Sequence, residues 1–168
     1  MNTDSPLTNV QMKRGVLYGL LGTLFMSIIM LIGMGTGMSP IPEPIPAAIA
    51  KGLLGNAPKP LIMGFAIITH FGYGAFWGAV LFYWIKTKGT VWHGLGWGVF
   101  LWLIMELIVL PLLGWGVFGS AITPKIAVAT LVLHLIYGAT LGWGLSRITA
   151  ANSNPQQASP KPKSSDRL

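Results

Sequence analysis

Four windows of twenty or more residues with almost no charge constrain this 168-residue chain more than any other feature. A helix needs about 20 apolar residues to cross ~30 Å of hydrocarbon at ~1.5 Å per residue. Charged residues make up 9% of the chain and apolar ones 52%, whereas a soluble domain carries roughly a quarter charged residues. Mean hydropathy is +0.63. Too little polar surface remains to clothe a water-soluble globule, so the chain reads as a polytopic membrane protein. The spans fall at about 16–38, 61–84, 94–113 and 126–146. All are helices, because only helices and closed barrels satisfy the backbone in lipid. Four segments without strand alternation cannot close a barrel. The expected fold is all-α, a bundle of four transmembrane helices.

The same composition narrows function. With no cysteine, disulfides, thiolate metal sites and cysteine nucleophiles are excluded. The net charge of +7 comes from basic residues flanking spans, which is not a nucleic-acid patch. No G-x-S-x-G, H-E-x-x-H or phosphate-binding G-x-x-x-x-G-K occurs, so no enzyme is expected.

Residues 1–14 form a short segment before the transmembrane domain, 15–146. The first span is longer than the ~7–15-residue core of a cleaved signal peptide and reads as a retained anchor. Lys13, Arg14, Lys86, Lys88, Arg147, Lys161, Lys163 and Arg167 fall on one side of the spans. Lys51, Lys59 and Lys125 fall on the other, a count of 8 against 3. The positive-inside rule then puts both termini in the cytoplasm. Trp84, Trp92, Trp115 and Trp143 sit at span ends as interfacial anchors. In the Pro-rich loop between the first two spans, Ala47–Leu54 is expected as a short amphipathic helix on the outer membrane surface. The Ser/Pro/Lys-rich tail, 147–168, is expected to be a disordered cytoplasmic segment.

An internal repeat organises the spans. His70, Tyr73, Gly74, Ala75 and Gly78 in the second match His134, Tyr137, Gly138, Ala139 and Gly142 in the fourth. Gly15, Gly19 and Met26 likewise match Gly94, Gly98 and Met105. Each repeat is one helical hairpin, and two crossings per repeat leave the copies with the same orientation. Every span also carries a G-x-x-x-G: Gly15/Gly19, Gly74/Gly78, Gly94/Gly98 and Gly138/Gly142. Glycines four apart share a face and let backbones approach. All four pairs lie in the cytoplasmic halves, so the bundle is expected to be tight inside and wider outside.

That wider half holds the ionisable groups of the spans. His70, His134 and Glu106 lie roughly 14, 12 and 10 Å below the outer boundary, and both imidazoles continue the glycine ridge into the bundle. Glu106 is rotated roughly 80° from the Gly98 face. Pro111 deprives the carbonyl of Leu107 of its helical donor and is expected to bend the third span there. Intramembrane ionisable groups are costly, and three readings of this His/His/Glu cluster stand side by side. The groups hydrogen-bond across helices as structure. They serve proton or solute movement in a small oligomeric transporter or channel. Or His70 and His134 ligate a b-type haem, with Gly72 and Gly74 giving room and Lys51, Lys59 or Lys125 meeting its propionates. Met26, Met30, Met34 and Met38 form a stripe that suits packing, or Cu(I) beside imidazole. Expected partners are the lipid bilayer and a second copy or another membrane protein.

The glycine-rich first span, W-L-I-M…P-L…G-V-F-G across Trp102–Gly119, and L-V-L-H-L-I-Y-G at Leu131–Gly138 carry a resemblance. Together they resemble a family of small four-span bacterial inner-membrane proteins of unknown function. The resemblance covers most of 14–146. It implies the architecture and the membrane, and no chemistry.

Overall fold

The computed structural model describes residues 6–85 and 89–152, with side chains described for 9–85 and 89–148. Lys86, Lys88 and the tail beyond 152, part of the charge count above, lie outside the described residues. The described residues hold helices and no strand: α1 (Pro6–Gly35), α2 (Ile45–Leu54), α3 (Lys59–Trp84), α4 (Val91–Ile104), α5 (Leu110–Leu112) and α6 (Lys125–Asn152). A π-turn, Met105–Val109, joins α4 to α5. Among the described residues, four segments are long and apolar enough to cross a membrane: Asn9–Gly35, Lys59–Trp84, Val91–Leu112 and Lys125–Ile148. The third begins three residues earlier than expected because Thr90 and His93 close a capping box that starts α4 at Val91. The last helix runs on to Asn152, so the start of the expected disordered tail is helical.

The helices pack in the order α3, α1, α6, α4. Large apolar side chains such as Leu31, Ile32, Ile68, Phe76 and Val128 face outward, as a lipid-covered surface requires. Within the hairpins the glycines bring backbones together. A Cβ on Gly15 would fall 2.6 Å from the Gly78 carbonyl oxygen, and one on Gly19 would strike the Gly74 carbonyl. In the second hairpin Gly94 faces Gly138 and Gly98 faces the carbonyl of His134. The two hairpins thus use the same type of contact, one helical turn out of register. Between hairpins, α1 and α6 meet where Gly22 admits the Tyr137 ring and Gly144 admits the Tyr18 ring. The remaining side, α3 against α4, is closed near the glycine end by aromatic rings: Trp97 lies 5.5 Å from Trp77 and 5.7 Å from Trp84.

Helix α2 matches the expected short amphipathic helix and does more than lie on a surface. Ala47 and Ala50 pack on Ile62 and Ala66 of α3, while Ile45 packs with Ile41, Leu110, Ile126 and Leu133. Lys51 pairs with Glu43 and ties the helix to the loop before it. Trp84 and Trp92 are exposed at helix ends and Trp143 is exposed nine residues before the end of α6, while Trp115 is half-buried and packs against the apolar cluster beside α2.

Candidate functional site

Opposite the glycine end, the helices part around a cavity of about 330 Å³. Thr23, Met26 and Met30 of α1 form one wall, and Thr69, His70, Tyr73 and Gly74 of α3 the next. Leu101, Ile104 and Met105 come from the α4 side, and Thr130, His134 and Tyr137 from α6. Ile45, Pro46 and Ile49 of α2 roof it. The cause lies in the sequence: glycines set the helices close at one end, and Met, Leu, Ile and Tyr hold them apart at the other.

The cavity brings together two of the three expected polar residues. His70 and His134 both line it. The buried Nε2 of His70 has no hydrogen-bond partner. His134 is 9% exposed, and its Nδ1 lies 2.8 Å from the carbonyl of Thr130, one turn earlier on α6. A carbonyl only accepts, so Nδ1 carries the proton, and in a neutral ring Nε2 is then an acceptor.

Glu106 stands behind this wall, outside the cavity lining. The wide turn at Met105–Val109, in which the Leu110 N–H donates to the Met105 carbonyl, adds a residue ahead of Pro111. Proline there has no N–H, and its ring opposes the carbonyl four residues back. Glu106 sits in this turn at 0% exposure, directed at α6. Thr130 Oγ1 donates to Glu106 Oε1 at 2.6 Å, while Oε2 is buried without a partner. Trp102 Nε1 donates to the Ala127 carbonyl at 3.1 Å and lies 3.3 Å from Thr130 Oγ1. Thr130 is therefore the hub: its hydroxyl holds Glu106 and its carbonyl orients His134. Its only sequence signal is a position four residues before His134, and sequence reasoning missed it.

Tyr137 was also missed as more than a repeat match. At 3% exposure it donates to the Gly74 carbonyl at 2.6 Å and so ties the two hairpins together. Its counterpart Tyr73 is 45% exposed and packs edge-on against Trp77. Of the methionine stripe, Met26 and Met30 line the cavity and Met38 faces outward. Among the described residues, no three His, Asp or Glu side chains group as a metal site. Two of the features that favoured haem are placed elsewhere: Gly72 is on the outer surface with nothing within 4 Å of an added Cβ, and Lys51 pairs with Glu43.

No curated protein and no solved structure matches the chain. A family model, described as a family of unknown function (DUF6789), matches residues 10–156, and the chain belongs to that family.

Proposed function

We propose that this membrane protein is non-enzymatic and holds a small, largely apolar molecule in the cavity, with His70 and His134 as its polar anchors. One observation carries the reading: two imidazoles, one with an unpartnered buried Nε2, face a single cavity of about 330 Å³ with mostly apolar walls. Small-molecule sites combine a volume of ~300–1,000 Å³ and apolar walls with a few convergent polar groups. The roof of α2 and the glycine contacts at the opposite end favour a chamber over a transport path. Glu106 is assigned a structural part, fixing α4 to α6 through Thr130. The proposed setting is the bacterial inner membrane with both termini in the cytoplasm, on the charge count of 8 against 3. The chamber then lies in the periplasmic half.

The bond from His134 Nδ1 to a backbone carbonyl is also how metal-ligating histidines are held, so bis-imidazole haem is the competing occupant. The test is purification in mild detergent, followed by an absorption spectrum and mass spectrometry of an organic extract. A colourless compound in stoichiometric amount, lost from His70→Ala and His134→Ala, is expected. A Soret band lost from the same variants would replace the small molecule with haem. A bare wild-type protein indistinguishable from both variants would refute the chamber.

A further inference from the structure

We infer that the chamber is entered from the bilayer between α3 and α4 and takes a lipid-soluble aromatic molecule bearing hydroxyl groups, of the quinol class. This rests on the chamber reading and specifies its occupant.

The route comes from the packing. α1 packs on α3 and on α6, and α6 on α4, whereas α3 meets α4 through aromatic side chains near the glycine end. Beyond those rings, Thr69 and Tyr73 line the chamber and are at the same time exposed on the outer surface. The chamber therefore reaches the surface at this seam. Its surroundings are apolar and outward-facing: Ile68 and Phe76 on α3, Phe100 and Leu103 on α4. In a bilayer that opening meets acyl chains. The other exit, toward the membrane surface, is covered by Ile45, Pro46 and Ile49.

The class comes from the walls. With Nδ1 protonated against Thr130, neutral His134 offers an acceptor, which pairs with an O–H and leaves a bare carbonyl or ether unrecognised. His70, which also lines the chamber, supplies a second polar contact. Met26, Met30 and Met105 present thioethers, which pack favourably against aromatic rings. A ring with hydroxyls at opposite edges and an apolar tail leaving by the α3–α4 seam satisfies all three features.

The experiment titrates decylhydroquinone and its dimethyl ether, anaerobically, into the full chain in nanodiscs, with empty nanodiscs as the blank, by isothermal calorimetry. The hydroquinone is expected to bind ~tenfold or more tightly than the ether, which leaves a buried acceptor unpaired. His134→Ala should bring the two compounds level. Equal binding of both by the wild type overturns hydroxyl recognition while the chamber reading stands. Binding of neither overturns this proposal, while the chamber reading stands unless the extracted wild-type protein is also bare. The comparison of the two compounds needs no variant, so it decides even if His134→Ala fails to fold.

Discussion

Replacing Gly15 by alanine adds one carbon at a close backbone approach between α1 and α3. That carbon would lie 2.6 Å from the Gly78 carbonyl oxygen, 2.8 Å from Ala79 Cα and 2.9 Å from Phe82 Cβ, where ordinary contact begins at 3.4 Å. Two of these neighbours are backbone, so no rotamer change relieves them and the helices must separate by roughly 0.5–0.8 Å. A gap of that size forfeits about a quarter to a half of the attraction between facing atoms. Overpacking of this type costs ~1–3 kcal/mol, offset by ~1 kcal/mol of helix propensity gained over glycine. The net expectation is a loss of ~0–2 kcal/mol, and of ~1–3 kcal/mol relative to a substitution that gains the same propensity without the clash. Gly72→Ala is the matched control: it is helical, with nothing within 4 Å, and should be neutral or gain up to ~1 kcal/mol. Gly37 would be a poor control, since its φ of +71° strains any side chain. Equilibrium unfolding in mixed detergent micelles, scanned with sodium dodecyl sulfate, reads the difference. Stabilities of the two variants within ~0.5 kcal/mol of each other would refute glycine-mediated packing.

Thr130→Val removes the donor to Glu106 and should cost ~1–3 kcal/mol in the same assay, and much less in a Glu106→Leu background, since the two are coupled. Equal losses in both backgrounds would show that the bond contributes nothing. Tyr137→Phe should cost ~0.5–1.5 kcal/mol for the bond to Gly74, whereas Tyr73→Phe should be silent; a reversed order would contradict the link between hairpins. A reporter fused after Leu168 should be active only if it works in the cytoplasm, and periplasmic activity would overturn the proposed orientation.

Much of the fold was legible in the sequence because lipid leaves few alternatives. An uncharged run of twenty residues is a helix, and glycines four apart mark where it is approached. The contacts between hairpins were harder to read, because Gly22 and Gly144 belong to no G-x-x-x-G pair and act by admitting Tyr137 and Tyr18. The shift of one turn between hairpins was equally hidden, since matched residues say nothing about how far one helix has slid along its neighbour. His70 and His134 were found on the glycine face because straight α-geometry holds on α3 and α6 from each histidine through the glycines that follow it. Glu106 was harder to place: the π-turn before Pro111 adds a residue and changes the facing of everything near it, which a constant ~100° per residue does not anticipate. Thr130 looked like one polar residue in an apolar run, and only the three-dimensional placement of Glu106 and His134 on either side of it shows its part.

Native mass spectrometry of the protein released from mild detergent, beside Ile104→Trp, tests the central claim most directly. Ile104 lines the chamber and is partly buried, so an indole there fills space that an occupant needs while leaving both histidines intact. The wild type is expected to carry one additional bound mass that Ile104→Trp, folded to the same extent, lacks. Both proteins bare, or both carrying the same adduct, would contradict a ligand held between His70 and His134.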